Sequence, residues 1–179
     1  MHTLRPNFLP VVMLILLTQI SCSSEGNLRA PDDHQIVPGT RVGPFKLGMT
    51  DQELFHVGTP DGTRPWGNYV VYWFGDRNVQ VNAESRRVER IFTSNKSDRT
   101  STGVGVGSSL PDFFRAFGPP DRTIVGDQVC GVPGRVAHVY YQSGNMWLDF
   151  FRVGASCADA QTNQVHTLGI KTPGAEAFN

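Results

Sequence analysis

The chain has no excess of charge of either sign, and it has no long hydrophobic run beyond its first residues. It carries 16 Lys and Arg against 16 Asp and Glu, so its formal net charge is zero. Because nucleic-acid-binding domains usually display a basic patch or stripe, we expect no nucleic-acid partner. The apolar run from Phe8 to Leu17 spans ten residues, about half of the ~20 that cross a bilayer as a helix. We therefore expect no transmembrane helix in the mature chain.

Motifs for catalysis or metal binding are also scarce. The chain has no Gly-x-Ser-x-Gly elbow, no Cys-x-x-Cys, and no Lys-Ser/Thr after the glycines at 103–107. Asp32, Asp33 and His34 lie in an expected tether and lack further ligands. We therefore expect no metal, no cofactor and no enzyme. A hydrolase that uses His138 beside Asp149 is the less favoured alternative.

The N-terminus has the layout of an export signal. Arg5 precedes the apolar run, and a short polar stretch ends at Ser21 and Cys22. This order predicts a secretory signal peptide and hence an exported protein. One interpretation is an ordinary cleaved signal peptide, in which Cys22 is an incidental residue and carries no lipid.

The residues around Cys22 resemble a lipobox, the processing site of bacterial lipoproteins, although Gln19 stands where that family usually has Leu. The resemblance implies fatty-acid chains such as palmitate on Cys22. Ser23 after the cysteine resembles outer-membrane sorting, facing the periplasm or the cell surface. Cys130 and Cys157 then remain as a pair, which we expect to form a disulfide in an oxidising compartment.

An internal repeat organises the rest of the chain. Residues 58–63 and 118–123 share Gly-x-Pro-Asp-x-Thr, and residues 47–55 parallel 106–114. Thr50 and Ser109 are N-cap candidates, and Glu53 completes a capping box with Thr50. Gly58 and Gly118 should end the two helices in a left-handed conformation. The expected buried stripes consist of Leu54, Val57, Phe113, Phe114 and Phe117.

Three strands are predicted after each helix, because the hydrophobic period changes there from 3.6 to 2. They cover 69–74, 79–83 and 88–93 in the first copy, and 136–142, 146–151 and 165–170 in the second. Turns fall at 75–78 and 143–145, and residues 45–47 and 104–106 add a short strand before each helix. The predicted fold class is α+β: two tandem β-α-β-β-β repeats with short helices packed on one face of antiparallel sheet.

Alternation along the strands assigns the faces of this sheet. A two-residue turn in the second copy would bring Cys130 opposite Cys157 and place Ala137, Val139, Tyr141, Met146, Leu148 and Phe150 inside. In the first copy Val70, Tyr72, Phe74, Val79, Val81 and Ala83 should face inward. Aromatic side chains among polar groups indicate an exposed binding face. Its members are Tyr69, Trp73, Gln80, His138, Tyr140, Trp147 and Asp149. Coverage of this face by a loop, the tether or the other half is the alternative.

Two families share features with these residues. The segments 42–50, 57–60 and 66–72 resemble the SmpA/OmlA (BamE) lipoproteins, accessories of the β-barrel assembly machinery. The tandem arrangement is similar to the β-lactamase-inhibitor-protein fold, whose joined sheet grips a partner protein. These resemblances imply protein binding in the envelope and supply no catalytic residues.

The expected organisation is a signal peptide over 1–21, a lipidated tether over 22–38, repeat 1 over 39–98, repeat 2 over 99–173 and a C-terminal tail over 174–179. The leading hypothesis is a non-enzymatic envelope lipoprotein that binds a protein through its aromatic sheet face. The alternative is a structural accessory lipoprotein of an outer-membrane assembly. The oligomeric state and the partner's identity stay open.

Overall fold

A computed structural model describes residues 32–129, 132–141, 146–152, 164–173 and 175, with the backbone alone for 123–129, 132–140 and 147–152. The predicted signal peptide, Cys22, Cys130 and Cys157 lie outside the described residues. The fold is α+β, with two sheets and two short helices, and strands form most of it. In chain order the elements are β1 Gln35–Val37, β2 Arg41–Val42, β3 Phe45–Lys46, α1 Asp51–Val57, β4 Gly62–Trp66, β5 Tyr69–Phe74, β6 Arg77–Asn82, β7 Val88–Thr93, β8 Arg99–Thr100, α2 Leu110–Phe117, β9 Arg122–Val129, β10 Val132–Tyr141, β11 Met146–Arg152 and β12 Val165–Lys171.

Both helices begin at the predicted caps. The Oγ1 of Thr50 accepts from the N–H of Glu53 at 3.2 Å, and the Glu53 carboxylate accepts from the N–H of Thr50 at 2.8 Å. Ser109 and Asp112 form the same reciprocal pair at the start of α2. Each pair satisfies free donors of the first helical turn. The predicted N-caps are therefore confirmed, and Asp112 is the second capping partner that the sequence reading missed.

The helix ends and one buried position differ from expectation. Gly58 has φ 172° and ψ 175°, which is extended backbone, so the predicted left-handed conformation is wrong there. Gly118 does have a positive φ of 80°, but its ψ of −171° places it outside the left-handed helical region. Phe114 is 39% exposed, although Leu54, Val57 and Phe113 are buried as predicted. The helices are seven and eight residues long, too short for a wide buried stripe.

The larger sheet has eight strands in the order β4-β5-β6-β7-β12-β11-β10-β9. Four consecutive antiparallel strands lie on either side of the joint between β7 and β12. At this joint Thr93 lies opposite Leu168, and Phe92 lies opposite Gly169. Each helix is thus followed by four strands of the larger sheet and not by the predicted three.

The two strands that the prediction lacked, β4 and β9, are the outer strands of this sheet. The sequence of β4 contains Gly62 and Pro65, which resemble a loop. Proline is tolerated on an edge strand because an outward N–H is not needed for pairing. The turn between β5 and β6 is also shorter than predicted, because Arg77 and Asn78 already belong to β6. Ala83, expected inside, lies beyond the end of β6 and is exposed.

The predicted pairing of β10 with β11 is confirmed. Ala137 lies opposite Phe150, and Tyr141 lies opposite Met146. This register places the apolar positions of the two strands on one face, because alternate residues point to the same side.

The smaller sheet has the order β3-β2-β1-β8. The predicted short strand before α1 is present as β3. Before α2, however, only Gly105 pairs, in an isolated bridge with Arg99, so a strand over 104–106 is wrong. The end of the expected tether belongs to the fold, because Gln35–Val37 forms β1 and Ile36 is buried. Side chains from both sheets and both helices share one hydrophobic core, which includes Ile36, Phe45, Leu54, Val79, Ile91, Phe113 and Leu168.

Candidate functional site

The predicted binding face is partly closed. Tyr69, Trp73 and Gln80 do share one side of β5 and β6, as alternation and register require. Tyr69 is only 9% exposed and Gln80 only 1%, however, so the prediction of an open face at these two residues is wrong. Trp73 is half-buried.

Cross-strand neighbours explain part of this closure. Arg90 on β7 lies opposite Gln80, and its guanidinium carbon is 4.2 Å from the centre of the Tyr69 ring. The Tyr69 hydroxyl donates to the Glu89 carboxylate at 3.1 Å. Arginine over an aromatic face is a cation–π contact that covers the ring. This contact covers the ring and leaves little of Tyr69 for a partner.

The register places the other four predicted residues on the same side of the sheet. His138 lies opposite Asp149, and Tyr140 lies opposite Trp147. Trp147 pairs in turn with Gly169, which pairs with Phe92. The face is therefore continuous across the joint of the two four-stranded halves.

The described strand side chains that are exposed on this face lie at its two edges, on β4 and at Arg122 of β9. The side chains of His138, Tyr140, Trp147 and Asp149 lie outside the description. Trp66, at the end of β4, is 49% exposed, and the Arg64 guanidinium carbon lies 5.7 Å from the Trp73 ring centre. Arg64 and Trp66 occupy the same side as Trp73, because Gly62 lies opposite Trp73 and alternate residues share a face. We call Arg64, Trp66 and Trp73 the aromatic edge. The sequence reading missed Arg64 and Trp66 because β4 was not predicted.

A second cluster of polar side chains lies at the start of β6. Arg77 is buried and donates to both oxygens of Asp98, from Nε at 2.8 Å and from Nη2 at 2.5 Å. Its Nη1 donates to Asp32 at 2.5 Å. His34 Nδ1 lies 3.1 Å from Asp98 Oδ1, and Thr93 Oγ1 donates to Asp98 at 2.5 Å. Asp98 is fully buried, so its charge depends on these partners.

Two members of this cluster, Arg77 and Asp32, have shifted pKa values. Burial opposes the charge on Arg77, but hydrogen bonds to Asp98 and Asp32 raise its pKa above the ordinary value. Burial likewise opposes the charge on Asp32, while hydrogen bonds from Arg77 and from the His34 backbone lower its pKa. Asp32, His34 and Asp98 have ligand atoms within 4.8 Å of one another. The Arg77 guanidinium already occupies their carboxylate oxygens, so this geometry fits an internal ion pair better than a metal.

A cavity of about 360 Å³ lies between the loop at Thr102–Val104 and α2. Its charged residues, Asp112 and Arg115, bond to each other at 2.9 Å. Asp112 also accepts from the hydroxyl of Ser109 at 2.5 Å, so its carboxylate is engaged in the cap of α2. No helix among the described residues has the length and apolar character needed to cross a membrane.

These observations define the class as an α+β protein with a continuous eight-stranded sheet and an aromatic edge. No family model and no curated protein matches the chain. Among solved structures, it is similar to an extracellular protein containing a SCP domain from Bacillus anthracis, with 10% identity and a TM-score of 0.45, covering 70% of this chain and 44% of that one. It is also similar to a cysteine-rich secretory protein from Staphylococcus aureus, with 14% identity and a TM-score of 0.47, covering 77% and 48%.

The chain thus spans less than half the length of either structure. With TM-scores below 0.5, neither likeness carries a function to it. The resemblance to the SmpA/OmlA (BamE) and β-lactamase-inhibitor-protein families is wrong on these comparisons, because no family model matches and the solved structures have other descriptions. A lipid on Cys22 and an outer-membrane position receive no support from them and stay predictions.

Proposed function

We propose that this chain is an exported, non-enzymatic module that binds an envelope protein through its aromatic edge. The observation that carries the proposal is Trp66, which is half-exposed beside the contact between Arg64 and Trp73. Trp and Arg contribute disproportionately to protein interfaces, because they bury much area and combine apolar surface with hydrogen-bond donors. The proposed site therefore adds the β4 side of the sheet to the part of the predicted face formed by Trp73.

A partner would contact the side chains of the aromatic edge and would not add a strand beside β4. Pro65 lies in the middle of β4 and lacks an N–H group. Proline on an outer strand hinders pairing with an incoming strand. A partner would therefore bind on the face that displays Arg64 and Trp66.

Site-specific photo-cross-linking tests this proposal. A photo-reactive residue at position 66 is expected to capture one partner in intact cells, whereas the same residue at position 114 is not. Position 114 is the matched control because Phe114 is also exposed, on α2. Equal capture from both positions, or none from position 66, would contradict the aromatic edge.

Substitution then measures the contribution of the side chain. Trp66→Ala should weaken binding by about 30-fold or more, the effect of an interface residue worth ~2 kcal/mol. Phe114→Ala should leave the affinity unchanged. If turnover by the purified protein in a hydrolase panel were abolished by His138→Ala, the non-enzymatic assignment would fail.

We also propose that the chain consists of two tandem repeats. Support comes from matching contacts before each helix: the N–H of Gly48 donates to Val88 and that of Gly107 to Val165, both at 2.7 Å. Both glycines have a φ above 80°. The antiparallel order of the sheet is also symmetric about the β7–β12 joint. Co-expressed fragments 22–98 and 99–179 should reassociate into a folded complex, and failure to recover the native circular dichroism spectrum would argue against two complete units.

Lipid attachment at Cys22 is the remaining part of the proposal. The support is the sequence around the cysteine together with the position of Asp32, which already contacts the fold. The nine residues between them can span at most ~30 Å, which would hold the module near a membrane. Intact-mass measurement of the mature protein decides this, since an unmodified Cys22 would remove the anchor.

A further inference from the structure

Strand β1 holds the smaller sheet together. It pairs antiparallel with β2 and parallel with β8, and Ile36 lies opposite both Val42 and Thr100. At one side the N–H of Gly43 donates to the carbonyl of Gln35 at 2.8 Å. At the other, the N–H of Arg99 donates to the carbonyl of His34 at 2.9 Å. Since β2 and β8 are not neighbours, β1 joins the residues before α1 to the residues before α2.

Charged side chains fasten the start of this segment to the larger sheet. Asp32 accepts from Nη1 and Nη2 of Arg77 at 2.5 and 3.0 Å, and Arg77 begins β6. The same guanidinium is bonded to Asp98 through Nε and Nη2, and His34 Nδ1 lies 3.1 Å from Asp98 Oδ1. The absence of a side chain at Gly43 allows the Asp32 carboxylate to lie there, because a Cβ at that position would be 2.7 Å from Asp32 Oδ1.

The two sheets differ in how strongly their backbones are paired. The strands of the smaller sheet contain two or three residues each, whereas those of the larger sheet contain five to ten. Elements with few backbone hydrogen bonds and short strands open at lower free energy than long central strands. Asp32 is also more accessible than its partner, with 38% of its side chain exposed against 7% for Arg77.

We propose that residues 32–37 form a releasable strap. The strap is closed while Asp32 is bonded to Arg77, and it opens as a unit before the larger sheet when that contact is lost. Release would break the pairing of β1 with both β2 and β8 and expose the buried side chain of Ile36. The Arg77–Asp98 pair stays in place, because it does not require Asp32. This conformational device is independent of the proposed binding function.

Native-state hydrogen exchange of the mature, full-length protein tests the strap. In Asp32→Asn, the amides of Gly43 and Arg99 should exchange about three- to tenfold faster, the effect expected for a partly exposed ion pair. Amides of Val79 and Ile91 in the larger sheet should keep their rates. Asp51→Asn is the matched control, because Asp51 forms a partly exposed ion pair with Arg86 outside the strap. It should leave the amides of Gly43 and Arg99 unchanged.

Trypsin digestion gives a second measurement. If the strap opens alone, Asp32→Asn should accelerate cleavage after Arg41 or Lys46 and should not accelerate cleavage after Arg90. Equal acceleration at all amides and all cleavage sites would mean that the variant is only globally destabilised, which overturns the proposal. No acceleration in Asp32→Asn, or the same acceleration in Asp51→Asn, would overturn it as well.

Discussion

Arg77 and Asp98 form a bidentate ion pair at the edge of the core, in which the guanidinium donates to both carboxylate oxygens at 2.8 and 2.5 Å. A buried pair of this kind is destabilising to break, because one charge is left without water and without a partner. Replacement of both members by apolar groups is often tolerated for the same reason. Loss of one member should therefore cost more stability than replacement of both.

Arg77→Met should lower the free energy of unfolding by about 3–5 kcal/mol, because Asp98 then remains buried without its guanidinium partner. The double variant Arg77→Met/Asp98→Leu should recover most of this loss. Urea denaturation measures both values. Arg115→Ala, which removes an exposed pair with Asp112, is the control and should leave stability unchanged. A double variant that is no more stable than the single one would contradict the interpretation.

Gly105→Ala should destabilise the protein by about 3 kcal/mol or more, in the range of severe steric overpacking. A Cβ at Gly105 would lie 2.1 Å from the backbone oxygen of Asp98, and backbone there is held by the pairing of Arg99 with Gly105. Gly62→Ala is the control, since its Cβ would lie at an ordinary 3.5 Å from Trp73. The melting temperatures of the two variants compare the effects. Similar values would show that the close approach at Gly105 is relaxed easily.

Ser109→Ala should lower stability by about 1 kcal/mol, because it removes the acceptor for the N–H of Asp112. Ser109→Thr retains the hydroxyl and should keep most of the wild-type stability. Chemical denaturation again gives the difference. A loss in Ser109→Thr as large as that in Ser109→Ala would rule out the capping hydrogen bond as the cause.

Tyr141 should ionise late in an alkaline titration. Burial raises its pKa to about 12, and the nearby Asp121 charge adds to the shift. Its hydroxyl donates to the carbonyl of Gly118 at 3.3 Å. The pKa of Tyr141 in the folded protein lies above its ordinary value of 10. The contribution of the neutral hydroxyl to the free energy of unfolding is therefore complete below pH 10. It is lost as the pH rises from about 10 to 12, where the unfolded state releases its proton first.

Absorbance at 295 nm follows this ionisation in the folded protein. The chain has four tyrosines, and the step near pH 12 should disappear in Tyr141→Phe. Persistence of that step in the variant would assign it to another tyrosine.

The helix starts and the strand register could be predicted because their causes are local. Thr50 and Ser109 cap the turn directly after them, and the alternation around Tyr141 and Met146 permits one register that buries a clean face. The outer strand β4 could not be recognised, because Pro65 and exposed polar residues give it no hydrophobic alternation. Its absence from the prediction also concealed Trp66.

The buried ion pair was beyond local sequence reasoning. Arg77 follows Gly75 and Asp76 and reads as part of a polar turn, and Asp98 lies 21 positions later without any motif. Asp32 and His34 did attract attention as titratable neighbours, but only the folded chain brings them to Arg77. Likewise, alternation places Gln80 correctly on one face of its strand. Whether that face is covered depends on contacts such as those of Arg90 on the neighbouring strand.

The symmetric order of the large sheet has a consequence for folding before the whole chain is available. Each group of four strands closes through local hairpins, but the central neighbours β7 and β12 are far apart in sequence, with Thr93 opposite Leu168. Contacts of such long range form slowly. Until β12 has been synthesised, β7 is an unprotected strand edge, which is a template for incorrect association between chains. The pairing of β7 with β12 completes the sheet, and an incomplete chain is therefore most prone to aggregate through the open edge of β7.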